Sequence, residues 1–162
     1  MSWLLHRIDD RLIHGQVLVA WGARLAPVRI WLVDDAVAAS DWERDLFRDA
    51  APGIEVRVVT VAEAAAAHAA ETEARDGGAF LLVRDLATAH RLVEAGARVE
   101  DWNVGGLHYA PGKDKVNDYV YLDAADRAHA HALLAAGVGL VVQDVPASRP
   151  QTLAELDRAL AP

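Results

Sequence analysis

Seven short apolar runs separated by stretches of helical pattern constrain this chain more than any other feature of its 162 residues. The runs are Trp3 to Ile8, Val28 to Val33, Glu55 to Val59, Ala79 to Val83, Asp101 to Val104, Tyr119 to Leu122 and Gly139 to Val145. Several are almost continuously Val, Ile, Leu or aromatic, as expected of strands buried on both faces. Between them, helices are expected over Gly15 to Leu25, Ser40 to Ala50, Val61 to Arg75, Leu86 to Ala95 and Ala124 to Ala136. A last helix, Thr152 to Ala161, opens on a capping threonine. Pro27, Pro52-Gly53, Gly77-Gly78, Gly96 and Gly137 fall where those helices should stop. Gly105 to Asp118 is polar and reads as a loop or short hairpin. Strand–helix alternation of this kind builds βαβ units. The expected fold is one doubly wound α/β domain over residues 1–162, with a mainly parallel sheet of about six or seven strands flanked by helices.

Composition removes several function classes. There is no cysteine, so neither disulfides nor thiolate metal sites can form, which fits a reducing compartment. A net charge of −8 argues against general nucleic-acid binding. The apolar start, Trp3 to Leu5, is too short for a signal-peptide core, and no stretch approaches a membrane span. There is no G-x-x-x-x-G-K-[ST] and no G-x-G-x-x-G, so nucleotide binding has no motif behind it. The expectation is a cytoplasmic protein with no cofactor and no metal.

Chemistry concentrates in Arg7-Ile8-Asp9-Asp10-Arg11-Leu12-Ile13-His14-Gly15-Gln16-Val17, where two arginines, two aspartates and a histidine lie between a strand and a helix. Unpaired charge is poor core material, whereas ligands of open α/β sheets bind at the carboxyl ends of strands. His14 is the only one of the five that can act as a nucleophile near neutral pH. An anion on His14 would face the helix that Gly15 and Gln16 open, where free N–H groups favour negative charge. Arg7 and Arg11 offer guanidinium forks suited to phosphate. Asp9 or Asp10 could orient the imidazole, and Gly15 leaves room beside it. The plainer alternative is a solvated turn with internal salt bridges, His14 serving as a cap.

Other positions carry weaker signals. Asp34 ends the second strand, and Asp35 reads first as a cap. Asn103, Gly105 and Gly106 could present backbone N–H groups to a phosphoryl group or simply make a tight turn. His108 follows that loop, and Arg84 either extends a positive rim or pairs with Asp85. His68, His90, His129 and His131 lie in expected helices and read as surface residues.

RIDDRLIHGQV followed by VLVAWG closely resembles the IIB component of the mannose/fructose/sorbose family of the bacterial phosphoenolpyruvate-dependent sugar phosphotransferase system. Val33-Asp34-Asp35-Ala36-Val37-Ala38, Asn103-Val104-Gly105-Gly106-Leu107 with Gly112 and Lys113, and Gly139 to Pro146 resemble further segments of that family, so the likeness spans roughly the whole chain. The resemblance implies a phosphohistidine carrier. His14 would receive a phosphoryl group from a IIA protein, on Nδ1 in this family, and pass it to a sugar brought through the membrane by IIC and IID. Arg11 would assist transfer to sugar, and the membrane subunits would recruit the protein to the inner face and choose the sugar. Phosphoryl transfer relies on positioning and charge neutralisation, the roles already read for Arg7, Arg11 and Asp10. A regulatory module that keeps the fold and His14 without serving a transporter is the other implied class.

Overall fold

A computed structural model describes residues 3–73 and 77–162. Its centre is a seven-stranded sheet in the order β3-β2-β4-β1-β5-β8-β9. The strands are β1 (Trp3–Asp9), β2 (Arg29–Val33), β3 (Glu55–Val59), β4 (Ala79–Val83), β5 (Asp101–Gly106), β8 (Gly139–Val142) and β9 (Gln151–Thr152). All pairings in it are parallel except β8 with β9. Two strands, β6 (Asp114–Lys115) and β7 (Tyr121–Leu122), form a separate antiparallel ribbon. The helices are α1 (π-helical over Gln16–Gly22, then α-helical over Ala23–Leu25), α2 (Asp35–Ala38), α3 (Asp41–Asp49), α4 (Val61–Glu73), α5 (Leu86–Glu94), α6 (Ala124–Ala135) and α7 (Leu153–Leu156).

Every residue of β2 and β4 is buried, because successive side chains feed opposite layers. Trp31, Val33, Leu81 and Val83 pack with Leu86, Leu92 and Leu133 on one face. Ile30, Leu32, Phe80 and Leu82 pack with Val17 and Trp21 on the other. Gly96 (φ +102°) and Gly137 (φ +81°) stop α5 and α6 in the left-handed conformation that glycine tolerates.

Four expectations need correction. The run Tyr119 to Leu122 contributes only β7, outside the main sheet; the seventh strand is β9, whose two residues are too few to show a period. The helix expected over Thr152 to Ala161 lasts only from Leu153 to Leu156. Thr152 does cap it, through a reciprocal bond with Glu155, but Asp157 turns extended, its carboxylate accepting from Ala159 N–H and from Arg127. An aspartate that satisfies backbone groups locally competes with helix continuation. His68 is buried rather than on the surface, stacked on Trp3 at 4.9 Å. His90 and His129 are half-buried and face one another across α5 and α6, while His131 is exposed. The expected end of α4 at Arg75 lies outside the described residues.

The strand order sets the place for function. From β1 the chain crosses β4 to reach β2, whereas from β5 it moves the other way to β8. The connections therefore diverge between β1 and β5, and the carboxyl ends of those strands border the crevice where doubly wound sheets bind ligands.

Candidate phosphoryl-transfer site

Asp9, the last residue of β1, is the hub. Its carboxylate is almost wholly buried and accepts from Arg7 Nη2 (2.8 Å), Arg11 Nε (3.1 Å), Arg11 Nη2 (3.3 Å) and Arg11 N–H (3.2 Å). Arg7 lies beneath it, with no exposed surface. Arg7 Nη1 donates to Asn103 Oδ1 (2.5 Å) and to the Gln143 carbonyl (3.2 Å), and the guanidinium lies 5.8 Å from the Trp21 ring centre. Burial lowers the Arg7 guanidinium from its ordinary value, and the Asp9 carboxylate opposes that shift. Two parallel arginine–carboxylate contacts on one aspartate are strong hydrogen bonds. They leave Arg11 as the cation that reaches outward, 37% exposed, where Nη2 also donates to Gln16 Oε1 (2.9 Å).

His14 sits over this hub. Its Nδ1 lies 2.8 Å from the Leu12 carbonyl, and since a carbonyl only accepts, Nδ1 carries the proton there. Nε2 is buried without a hydrogen-bond partner, Asp9 Oδ2 being 3.7 Å away. Leu12 aims that carbonyl from a left-handed backbone (φ +56°) although its side chain is buried. Such conformations are strained for branched residues and gather at functional sites. The π-helical start of α1 at Gln16, two residues after His14, is another local irregularity common at sites.

The loop after β5 completes the crevice. A Cβ on Gly105 would fall onto the Arg7 guanidinium, so this glycine is the slot through which Arg7 passes. A Cβ on Gly106 would lie 3.0 Å from His108 Cε1, 3.3 Å from Arg11 Nη2 and 3.4 Å from Asp9 Oδ1. The two loops are tied by Asp10 N–H donating to the Gly106 carbonyl at 3.0 Å. Around Gly15, by contrast, an added Cβ would meet nothing within 4 Å, so the space beside His14 is open.

Over residues 3–160 the sequence matches the family profile described as PTS system sorbose subfamily IIB component. The chain belongs to that family. It is 33% identical to the N-acetylgalactosamine-specific phosphotransferase enzyme IIB component 1 of Escherichia coli (strain K12), over 93% of this chain and 95% of that protein. The mannose-specific EIIAB component of the same strain is 37% identical over 87% of this chain, which spans 44% of that longer protein. Among solved structures, the IIBSor domain of the sorbose permease from Klebsiella pneumoniae superposes with a TM-score of 0.86 at 32% identity, covering 96% of each chain. As a IIB component the chain is a phosphotransferase subunit, a phosphoryl-transfer carrier of the sugar phosphotransferase system, where IIB works with IIA and with IIC and IID. Nothing favours the regulatory alternative. No helix among the described residues is long and apolar enough to cross a membrane.

The crevice brings together His14, Arg11, Asp9, Gln16, Asn103, Gly105 and Gly106, while other expected site residues turn elsewhere. Arg7 presents no fork to a ligand, because its bonded nitrogens are spent on Asp9, Asn103 and Gln143. Asp10 does not touch His14; both its oxygens engage His108. Asn103 and Gly105 shape the site by seating Arg7, and Gly106 by leaving room for His108, Arg11 and Asp9 to converge. Asp34 stands apart from the loop of residues 9–16: it caps α2 through Ala36 and Val37 N–H and accepts from Arg84 Nε at 2.8 Å. Arg84 thus pairs with Asp34 rather than Asp85, which caps α5. Asp35, read as a cap, instead accepts from Val61 N–H and Arg91.

Three contributors had no reading of their own in the sequence. Gln143 holds Arg7 and Asn103 through its carbonyl, while its side chain braces Ser148. Trp21 covers Arg7 and donates to the Asp144 carbonyl at 2.9 Å. Leu12 supplies the carbonyl for His14. A polar residue closing the apolar run Gly139 to Val142 was the available sign for Gln143; Leu12 left none.

Proposed function

We propose that His14 is the phosphoryl acceptor of this IIB component, with Arg11 the cation that meets the phosphoryl group and Asp9 the residue that orients both. Arg7, Asn103, Gly105 and Gly106 act by holding Asp9 in place, Gln16 by steadying Arg11, and Gly15 by keeping the approach open. The observation that carries this reading is the convergence of His14, Arg11 and Asp9 where the strand connections diverge, with one imidazole nitrogen facing Asp9 without a hydrogen bond.

Phosphoryl transfer asks little covalent chemistry of the protein beyond the nucleophile. A IIA histidine would bring the phosphoryl group; its N–P bond breaks as the bond to His14 forms, and Arg11 with the N–H groups opening α1 answers the near-dianionic charge. Nδ1 is engaged by Leu12 and Nε2 is buried, so attack through either nitrogen requires the ring to turn. Transfer at Nδ1, the nitrogen expected from the family, requires release of the Leu12 bond and a shift of the ring proton from Nδ1 to Nε2, the nitrogen that faces Asp9. The group then passes to a sugar hydroxyl presented by IIC and IID, and those subunits choose the sugar. In this reading residues 1–162 form one IIB unit in the cytoplasm, recruited to the membrane through its partners.

The test is incubation with phosphoenolpyruvate, the general phosphocarrier proteins and a IIA of the mannose or sorbose type. An acid-labile phosphoramidate that maps to His14 and is absent from His14→Ala is expected. Phosphoryl incorporation that survives His14→Ala would falsify the assignment.

A further inference from the structure

Asp10 and His108 belong to the two loops that form the crevice, yet neither has a part in the chemistry above. The two oxygens of Asp10 accept from His108 N–H at 2.7 Å and from His108 Nδ1 at 2.6 Å. The carboxylate thus fixes both the backbone and the ring of His108, and it determines which nitrogen is left over. Among the described residues no partner engages Nε2. The ring reaches over Gly106: Cε1, the carbon between Nδ1 and Nε2, comes within 3.0 Å of the point where a Cβ would stand. Arg11 Nη2 and Asp9 Oδ1 reach the same point to 3.3 and 3.4 Å, and Asp9 Oδ2 is 3.7 Å from His14 Nε2. His108 is 44% exposed and its neighbour Tyr109 is braced edge-on against Tyr121, so the ring is accessible but not loose.

We propose that His108, oriented by Asp10, is a second cationic ligand of the phosphoryl group on His14, acting alongside Arg11. This rests on the assignment of His14 as acceptor. His108 forms no covalent bond in the process. As the phosphoryl group arrives, Nε2 takes one proton from solvent and donates it as a hydrogen bond to a phosphoryl oxygen, while Nδ1–H keeps its bond to Asp10. The groups facing the ring are Asp9 and Asp10, which favour its cationic form, and Arg11, which opposes it until the incoming negative charge offsets that repulsion. His108 is therefore a charge sensor for the phosphorylated state: it acquires its proton with the phosphoryl group and loses it when the group leaves for sugar.

The inference is tested on the full chain labelled with 15N-histidine, phosphorylated by the same phosphoenolpyruvate-driven chain of donors. In the wild type, phosphorylation should move the His108 Nε2 signal toward that of a protonated imidazole. In His108→Gln, the equilibrium share of phosphoryl group held by this chain rather than by IIA should fall about tenfold at pH 6, the loss expected of one charge-assisted hydrogen bond. At pH 8.5 the deficit should shrink to less than about twofold. A deficit equal at both pH values marks a packing role and overturns the inference, as do wild-type His108 signals indifferent to phosphorylation. If no phosphoramidate forms on His14 at all, the acceptor assignment fails first and this inference falls with it.

Discussion

Strand β1 carries histidine at both ends of its reach, and the two ends are built on opposite principles. Near its start, His6 lies between Trp3 and Trp102 and meets His68 with Nε2 atoms 3.2 Å apart, while Trp3 Nε1 donates to the His68 carbonyl. These imidazoles are used as aromatic filling. Burial, reinforced by His68, pushes His6 down to about 3, and burial lowers His68 as well. Past its end, His14 is held by a carbonyl, faces a carboxylate shared by two arginines and leaves Nε2 unpaired. Histidine count and burial do not separate the two regions. What separates them is unspent bonding capacity beside converging charge, which a native fold rarely leaves without purpose.

The contrast breaks most sharply on substitution. His14→Ala should abolish phosphoryl incorporation and leave the thermal midpoint within a degree or two, because this loop side chain is held by a single hydrogen bond, to the Leu12 carbonyl. His6→Leu should do the reverse, keeping phosphorylation close to wild type. If His6→Leu stops incorporation while the protein remains folded, the two ends of β1 are not functionally distinct.

Gly105→Ala comes next. One methyl group would occupy the slot of the Arg7 guanidinium, freeing a fully buried cation from Asp9 and Asn103. Breaking one partner away from a buried ion pair costs about 3–5 kcal/mol. Chemical denaturation should show a loss of that order, and phosphoryl transfer should fall with it, since Asp9 loses the residue that positions it. Gly15→Ala, facing open space, is the control and should lose less than about 1 kcal/mol.

How much of this was readable beforehand follows the same division. The parallel sheet was legible because β2, β3 and β4 are short apolar runs flanked by turn residues, and their limits differ from expectation by a residue at most. The site was legible as a segment, since charge, imidazole and glycine lay adjacent in sequence at a strand end. Its internal assignments were not. Proximity along the chain suggested Arg7 for the ligand and Asp10 for His14. Alternation along a strand instead sends Arg7 inward beneath Asp9, and Asp10 finds His108 ninety-eight positions away. The burial of His68 was equally invisible, because an alanine-rich helix shows little contrast between its faces.

Arg11→Lys should have a smaller effect than Gly105→Ala and act on one half-reaction. Lysine keeps the charge but cannot bond Asp9 and Gln16 together in the planar arrangement seen for Arg11. Transfer to sugar, measured with membranes carrying IIC and IID, should slow about tenfold, whereas acceptance from IIA changes little. Equal slowing in both steps would show that Arg11 serves the phosphoryl group in the same way throughout.

The smallest effect concerns the other end of β1, and its sign follows from the direction of the shifts. In the unfolded chain His6 binds a proton near the ordinary value of 6.5, whereas in the folded protein it does so only near 3. Between those limits the unfolded state holds more protons, so stability is fully present above about pH 6.5 and is lost as pH falls toward 3. One such histidine contributes a slope of at most about 1.4 kcal/mol per pH unit. Carboxylates held below their ordinary range, such as Glu55 beside Arg57 and Arg29, begin to contribute only lower, under about pH 4.5. Urea denaturation between pH 7 and 5 therefore isolates the histidines. His6→Leu should flatten the slope in that interval. A slope left unchanged in His6→Leu would show that this imidazole is not held in its uncharged form by the fold, and the contrast between the two ends of β1 would lose its physical basis.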